Sequence, residues 1–524
     1  MTTSVRGPAR PWPARAALAV VLAFAALLYA WVPLGHPVTG GFSDSVDYLV
    51  LADFFRDSAG GNDSGFGSNY FATSRFPPLY PVTLALGGAG VASAQPAYWV
   101  TWLEALLALV AVMWWTWREN ASAWAAVAFA TVLVLCPGLF LLQLNPISEP
   151  LFMALAFAAL GASRRCEQDG RWLVFALLVA ILPLARMSGV ALVLAACAWS
   201  YWRLRLRGTR YALAVATMTL PTVAWMAYRR LLPVDSAYVE QLSLQRILAE
   251  LGGWYGLLVE QWLRLWRGYV ELFDPAHGWL AAVGVSALLL LALAGWWRRL
   301  RAGRLDALFL PLHVAIVYVW PFPSEIARLL SVTIPILLQS ALEALVAWRG
   351  NARRDAAAGA IAIALVAAAT PALALFASRM GLAVDPALVA HTRTVAFLVE
   401  RDESRALKWL ELRERMVQTI RELPAEVPAG ECVYTPHSAF VWFVAQARVG
   451  VRPLPPRIDP GPAAREQLAA CRWFFVAQVT SPQYNHPGMY PAELVAGWTD
   501  PVMVSMMELN PGQRVPVAAL LRAR

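Results

Sequence analysis

Two carboxylates follow the first apolar run of the chain. Asp44 and Asp47 lie in the segment GGFSDSVDYLVLADFF, a few residues after a run that begins near residue 16. On a helix, residues three apart share a face, so the two side chains would point the same way. Tyr48 comes four residues after Asp44, and Ala52 four residues after Tyr48, in a second helical row. Paired carboxylates of this kind are candidates for proton transfer.

The composition excludes a string of soluble domains. Of the 524 residues, 59% are hydrophobic and only 15% are charged, whereas about 25% is usual for soluble domains. The mean hydropathy of +0.52 predicts an integral membrane protein whose first partner is lipid. In a soluble protein the net charge of +9 could indicate nucleic acid. Here we expect no nucleic-acid partner, because the basic residues are better explained by membrane topology.

Eleven membrane spans are predicted. A helix needs ~20 mostly apolar residues to cross the hydrocarbon core. Runs that reach or approach this length begin near residues 16, 97, 122, 147, 172, 188, 211, 279, 306, 329 and 356. With the N-terminus inside, eighteen arginines fall in cytoplasmic segments and nine in the opposite loops before the tail. This bias predicts a multi-pass protein of the bacterial inner membrane, with a cytoplasmic N-terminus and an exported C-terminal domain.

The hydrophilic stretches divide the chain into two domains. Residues 1–379 form the predicted all-α membrane domain, with a first outer loop at 35–96. Residues 380–524 alternate a polar helix with short strands such as CVYT and WFFVAQV, which predicts a small α/β periplasmic domain. Cys432 and Cys471 lie in this tail and could pair if it is exported, a question that the sequence leaves open.

Short helices are predicted at the outer surface. In the first loop, a Gly/Ser/Asn-rich stretch is followed by RFPPLYPVTLALGG, where Pro77 and Pro78 begin a juxtamembrane helix. In the second outer stretch, about 233–278, three tryptophans mark an interfacial helix or helix pair.

These features together resemble the GT-C membrane glycosyltransferases, and most of all the bacterial protein O-mannosyltransferase and aminoarabinose-transferase branch. The resemblance rests on an outer loop with Asp44, Tyr48 and Ala52, followed by a juxtamembrane segment with Arg75, Pro77, Pro78, Leu79 and Tyr80. The later fragments SEPLF, LARMSGV and IARLLSVTIPIL fit more loosely. Their order and topology cover essentially the whole chain.

The resemblance implies transfer of a sugar from a polyprenyl-phosphate donor to an acceptor at the periplasmic face, with inversion at the anomeric carbon. Asp44 would be the catalytic base, with Asp47 as a second catalytic candidate. Arginine side chains would stabilise the phosphate leaving group. The substrate-binding candidates are Tyr48, Arg75, Tyr80, Glu149, Arg186 and Arg328.

Two positions depart from the family pattern. Many relatives carry an acidic residue directly after the catalytic aspartate, where this chain has Ser45. The aminoarabinose branch has Glu-Lys before the two prolines, where this chain has Arg75-Phe76. No cofactor is assigned: the use of a divalent cation and the donor sugar stay open. So do the oligomeric state and the acceptor, which could be a lipid-linked glycan, lipid A, a cell-wall polymer or a protein.

Other classes of function compete with this interpretation. A flippase or transporter of a lipid-linked saccharide would show internal repeats and charges near the bilayer midplane. The sequence shows no repeat, and its conspicuous charges lie in outer loops. A non-catalytic scaffold protein is a further alternative, but it would have no use for the two aspartates of the first loop. An O-antigen ligase or polymerase is chemically close and stays an alternative.

Overall fold

A computed structural model of the chain describes residues 12–35, 43–60, 71, 76–231, 247–248, 251–320, 325–380, 395–436, 438–454, 462–477, 495, 497–510 and 512–524. Its larger part is a helical bundle, and its smaller part is a C-terminal domain built on a β-sheet. Arg75 lies outside the described residues.

The bundle combines long apolar helices with several short ones. In chain order they are α1 (Trp12–Gly35), α2 (Ser43–Gly60), α3 (Leu79–Leu86), α4 (Gln95–Asn120), α5 (Ala123–Val134), α6 (Pro137–Gln143), α7 (Glu149–Asp169), α8 (Trp172–Ala185), α9 (Val190–Trp202), α10 (Gly208–Leu231), α11 (Gln261–Phe273), α12 (Trp279–Arg301), α13 (Leu305–Tyr318), α14 (Ile326–Leu330), α15 (Ile334–Arg349) and α16 (Arg354–Met380).

The predicted count of eleven spans is not confirmed. Within the described residues, six helical segments are long and apolar enough to cross a membrane, and a seventh candidate is the pair α5 and α6, bent by 68°. Three of the predicted runs form shorter apolar helices, at 172–185, 187–202 and 305–318. Each predicted apolar run does form a helix. Several of these helices are cut short by prolines or turns, and the length of an apolar run in the sequence does not show where a helix breaks.

Small residues allow the helices of the bundle to approach closely. A Cβ added to Gly295 in α12 would lie 1.7 Å from the carbonyl oxygen of Ser340 in α15. Glycine therefore lets the two backbones touch, which is the usual basis of helix packing in membranes, where lipid supplies no hydrophobic drive for association.

A buried ion network joins helix ends at one end of the bundle. Arg299, which is 3% exposed, donates to both oxygens of Asp306 at 2.8 and 2.9 Å and to Glu119 at 2.9 Å. Arg164 pairs with Glu119 at 3.0 Å and also with Glu167. Because α4 has 26 residues and Glu119 is near its end, this network lies about 35 Å along the axis from the start of α4.

At the other end of the bundle, α2 and α3 form the predicted outer-loop helices. The juxtamembrane helix predicted after Pro77 and Pro78 is α3, and it packs against α2. The predicted interfacial segment forms a turn of helix over Gly253–Tyr255 and a π-helical turn over Gly256–Glu260, followed by α11. Trp254 and Trp262 are exposed there, as expected for side chains at a lipid–water boundary.

The C-terminal domain has a five-stranded mixed sheet with helices packed on it. Its elements are α17 (Val395–Val399), α18 (Glu403–Glu426), β1 (Cys432–Thr435), α19 (Ser438–Val444), β2 (Gly450–Pro453), α20 (Pro462–Gln467), β3 (Trp473–Ala477), β4 (Thr499–Asn510) and β5 (Gln513–Ala523). The strand order is β2-β1-β3-β5-β4. Strand β1 runs parallel to β2 and β3, whereas β5 is antiparallel to β3 and β4. The predicted small α/β domain is thus observed, with an antiparallel hairpin added at one edge.

This domain covers the helix that carries the two aspartates. Helix α19 packs against α2, and Val46 and Leu49 share one apolar cluster with Phe440 and Val441. Cys432 and Cys471 form a disulfide that joins the start of β1 to the residues just before β3. The pairing that the sequence left open is therefore present in the structure.

The ion network predicts a large effect of a single substitution. Replacing Arg299 by methionine leaves Asp306 and Glu119 buried without their shared cation, which costs about 3–5 kcal/mol for a broken buried pair. We expect the melting temperature of the purified protein to fall clearly for Arg299→Met. Arg301→Met, on the same helix but exposed, should leave it nearly unchanged. Equal melting temperatures for both variants would contradict the network.

Candidate active site

A buried guanidinium lies at the centre of the polar cluster beside α2. Arg328, in α14, is 6% exposed. Its Nη2 donates to Asp44 Oδ2 at 2.5 Å, and the same nitrogen lies 3.7 Å from Glu325 Oε2. Its Nε lies 2.7 Å from Glu149 Oε1, but the N–H does not point at an acceptor there, so this contact is an ion pair without a hydrogen bond.

Glu149 links Arg328 to a second arginine. Its Oε1 accepts a hydrogen bond from Arg186 Nη1 and also faces Arg328. Its Oε2 is buried and has no hydrogen-bond partner among the described residues. Glu149 stands in the first turn of α7, where the positive end of the helix dipole stabilises a carboxylate.

The two arginines are placed by interruptions in apolar helices. Helix α8 ends at Ala185, and Arg186 is extended, with φ −157° and ψ 131°. The chain then turns so tightly that a Cβ on Gly189 would lie 2.8 Å from the backbone of Leu182. Arg328 precedes a 3₁₀ turn over Ser331–Thr333, in which Ser331 donates to the carbonyl of Arg328 at 2.6 Å. Such breaks are tolerated at membrane depth where side chains satisfy the freed backbone groups.

Aromatic side chains form the wall behind Asp44. Tyr48 hydroxyl and Ser148 hydroxyl are hydrogen-bonded at 2.9 Å, and Arg186 Nη1 donates to Ser148 at 3.4 Å. The Tyr80 ring meets the Tyr48 ring edge to face, with centroids 4.7 Å apart, and its hydroxyl bonds Thr101 at 2.9 Å. Burial raises the pKa of the Tyr48 phenol, and the nearby Asp44 carboxylate raises it further. Tyr48 therefore keeps its proton and acts as a hydrogen-bonding group.

The described charges of the cluster do not cancel. Asp44, Glu149 and Glu325 supply three carboxylates around Arg328 and Arg186. If all are ionised, this set carries one net negative charge in a buried site, which is costly unless further groups or a ligand compensate. Among the residues that the structure describes, no group of three or more His, Cys, Asp or Glu side chains could hold a metal ion.

Six of the eight predicted site residues come together here. Asp44, Glu149, Arg186 and Arg328 form the charged cluster, Tyr48 joins it through Ser148, and Tyr80 lies behind Tyr48. Asp47 lies three residues after Asp44 on α2 and is partly exposed. The placement of Arg75 is not described. The roles assigned to all eight stay predictions.

Two residues of the cluster were not predicted. Ser148 bridges Tyr48 and Arg186, and Glu325 approaches Arg328 while its Oε2 accepts a hydrogen bond from Trp320 at 3.1 Å. Ser148 directly precedes Glu149, and Glu325 comes three residues before Arg328, so both lie in or beside the fragments SEPLF and IARLL. The only signal in the sequence that could have identified these two residues is their position next to the predicted ones.

A narrow, mainly apolar cavity reaches the cluster from inside the bundle. Its apolar walls include Leu109, Leu133 and Met153, and it is bounded at the polar end by Glu149 and Ser331. Glu149, which lines the polar end of the cavity, is the carboxylate that pairs with Arg328 and Arg186.

Comparisons with known proteins return similar solved structures at low sequence identity. No family model and no curated protein matches the sequence. The chain is similar to ArnT from Cupriavidus metallidurans bound to undecaprenyl phosphate, with 13% identity, a TM-score of 0.48 and 98% of both chains covered. The same protein in the apo state gives 12% identity and a TM-score of 0.47, with 97% of this chain and 98% of that one covered.

The arabinofuranosyltransferase AftD from Mycobacteria is also similar, with 16% identity and a TM-score of 0.44. The match covers 99% of this chain and 40% of AftD, so the chain spans about two fifths of that protein's length. ArnT and AftD both belong to the GT-C class that the sequence resembles.

The geometry predicts strong coupling between Arg328 and Glu149. Arg328→Met leaves several carboxylates facing one another and should cost about 3–5 kcal/mol of unfolding free energy. Adding Glu149→Gln removes one of those charges, so the double variant should lose at least about 1 kcal/mol less than the sum of the single losses. The measurement is a double-mutant cycle on the detergent-solubilised protein.

The control cycle pairs Arg328→Met with Glu260→Gln, an exposed side chain of the interfacial segment. That pair should be additive. Additive losses for Arg328 and Glu149 as well would contradict the contact between them.

Proposed function

We propose that the protein is a membrane glycosyltransferase that moves a sugar from a polyprenyl-phosphate donor to an acceptor at the periplasmic face. The observation that carries the proposal is the buried cluster of Asp44, Glu149, Arg186 and Arg328. The four chain segments that meet in it are those on which the sequence resembles GT-C enzymes. A structural ion network alone would not account for this coincidence of motif and geometry.

The arginines suit the phosphate of the donor. When the bond between the anomeric carbon and the phosphate oxygen breaks, the departing polyprenyl phosphate gains one negative charge. Preorganised guanidinium groups in a water-poor site stabilise that charge in the transition state. Arg328 and Arg186 both face Glu149 Oε1, so one phosphate group placed there could contact both cations. We assign them to the leaving group.

Asp44 suits the acceptor. A carboxylate at this position can take the proton of an attacking hydroxyl or amine while the acceptor atom forms its bond to the anomeric carbon. A single displacement of this kind inverts the anomeric centre. Asp47 is the second candidate for the base. Tyr48, protonated and bonded to Ser148, would hold the alignment of Arg186.

The surroundings of the cluster fit a lipid-linked donor. Apolar side chains of the bundle, among them Leu109, Leu133 and Met153, lie beside Glu149, which suits a donor whose phosphate is attached to an isoprenoid chain. The ArnT structure named above contains undecaprenyl phosphate, which is a ligand of this chemical class. Because the donor carries its leaving group on a lipid, no nucleotide-binding loop is needed.

The charges support the orientation that we propose for the protein in the membrane. The arginine-rich network around Arg299 lies at the end of the bundle opposite to α2, and such ends face the cytoplasm. The Cys432–Cys471 disulfide fits an oxidising periplasm. We therefore place the cluster and the C-terminal domain at the periplasmic face, where α19 contacts α2 on the side of the acceptor.

Sugar transfer should depend on Asp44. Membranes containing the wild-type protein, Asp44→Asn or Asp57→Asn would be incubated with a panel of radiolabelled polyprenyl-phosphate sugars, and the lipid, polymer and protein fractions analysed. Loss of the general base should lower the transfer rate about 10²–10⁴-fold for Asp44→Asn. Asp57 lies on the same helix as Asp44 but is remote from Arg328, so Asp57→Asn should retain full activity.

Transfer that survives in Asp44→Asn would contradict the assignment of the base and move it to Asp47. Flipping of a lipid-linked sugar in proteoliposomes, with no transfer from any donor of the panel, would contradict the glycosyltransferase itself and favour a flippase.

A further inference from the structure

The cluster that would receive the donor phosphate is already occupied by the protein's own carboxylates. Arg328 meets Asp44 at 2.5 Å, Glu149 at 2.7 Å and Glu325 at 3.7 Å. A phosphodiester that enters this site brings a further anion to a guanidinium that three carboxylates of the described residues already contact. It would compete with those carboxylates for the N–H groups of Arg328.

The contacts indicate which carboxylate leaves. Glu149 contacts both arginines through Oε1 and is stabilised in the first turn of the 21-residue helix α7. Its displacement would break two ion pairs. Glu325 lies 3.7 Å from Nη2, and its Oε2 already accepts a hydrogen bond from Trp320. Asp44 accepts a hydrogen bond from Nη2 itself, and a guanidinium binds phosphate through such N–H groups. An incoming phosphate would therefore compete with Asp44 for Nη2.

The pair also affects the proposed base. While Asp44 Oδ2 accepts a short hydrogen bond from Arg328, that oxygen is directed at the guanidinium and not at an acceptor. A general base must lie within hydrogen-bond reach of the proton that it removes. In this arrangement, one oxygen of the Asp44 carboxylate is engaged by Arg328 for as long as Arg328 has no other anion to bind.

We propose that the donor phosphate displaces Asp44 from Arg328, so that the base is released only when the donor is bound. Arg328 then acts both as the phosphate ligand and as the group that restrains the base in the donor-free protein. This inference rests on the proposed function, and it deepens it by giving the reaction an order: the donor binds first, and the acceptor is activated afterwards.

Competition between Asp44 and the phosphate has a measurable consequence. By linkage, removal of a competing carboxylate strengthens the binding of the phosphate. The full-length wild-type protein, Asp44→Asn and Asp57→Asn would be titrated in detergent with undecaprenyl phosphate, which carries no sugar and cannot react. We expect Asp44→Asn to bind this lipid at least about five-fold more tightly than the wild type, although it is inactive in transfer. Asp57→Asn should bind it as the wild type does.

Equal or weaker binding by Asp44→Asn would overturn the inference, because Asp44 would then be neutral towards the phosphate or would help Arg328 to hold it. The proposed function would still stand, since the wild type binds the lipid. A similar gain in Asp57→Asn would also overturn it, because the effect would not come from Arg328. No binding to the wild type would overturn both the inference and the proposed function.

A second measurement needs no variant and covers the case in which Asp44→Asn fails to fold. The wild-type protein would be treated with a water-soluble carbodiimide and an amine, with and without undecaprenyl phosphate, and the modified carboxylates identified by mass spectrometry. We expect the modified fraction of Asp44 to rise when the lipid is added, while that of Asp57 stays constant. A modified fraction of Asp44 that is unchanged or lower with the lipid would overturn the release of the base.

Discussion

A guanidinium buried at the end of a membrane bundle must find counter-charges, and the structure is arranged around that requirement. Arg328 draws Asp44 from α2, Glu149 from α7 and Glu325 from the start of its own segment to within 4 Å. An unpaired charge at this depth would cost several kcal/mol. This requirement therefore fixes how the first outer loop lies against the spans. It also constrains the position of every helix that contributes a charged side chain to the cluster.

The rest of the molecule holds these charged groups in position. Helix α3 and helix α19 both pack on α2, so the aspartate-bearing helix is fixed from the bundle and from the C-terminal domain. The interruptions after Ala185 and at Ser331 allow two arginines on apolar segments to face one carboxylate. At the opposite end, the network around Arg299 fixes the spacing of the helices. The two polar ends differ. Arg299 donates hydrogen bonds to both Asp306 and Glu119, whereas Arg328 donates one to Asp44 and, among the described residues, meets Glu149 in a contact without a hydrogen bond.

Much of the architecture could be predicted because it follows from local patterns. Apolar runs located the helices, and the strands at Cys432 and Trp473 and the helix after Pro78 appear where the sequence places them. The number of spans did not follow, because it depends on where each helix breaks. The hairpin of β4 and β5 was missed, since its sequence TDPVMVSMMELN mixes proline, methionine and charge and has no clean alternation.

The candidate site was predictable residue by residue but not as an assembly. Asp44, Glu149, Arg186 and Arg328 could each be singled out from motif and position. Their pairing could not, because Arg328 and Asp44 are 284 residues apart in the chain and nothing in either segment specifies the other. Side-chain bridges such as Ser148 become visible only once the helices are packed. The contact between Asp44 and Arg328, on which the proposed order of the reaction depends, is thus a property of the tertiary structure.

The most direct test of this account is the structure of the full-length protein with undecaprenyl phosphate bound, determined by cryo-electron microscopy. The account predicts a phosphate oxygen about 2.7–2.9 Å from the Arg328 guanidinium, with Glu149 still beside Arg186 and the Asp44 carboxylate turned away from Arg328. A bound lipid phosphate elsewhere, with the contact between Arg328 and Asp44 intact, would contradict it.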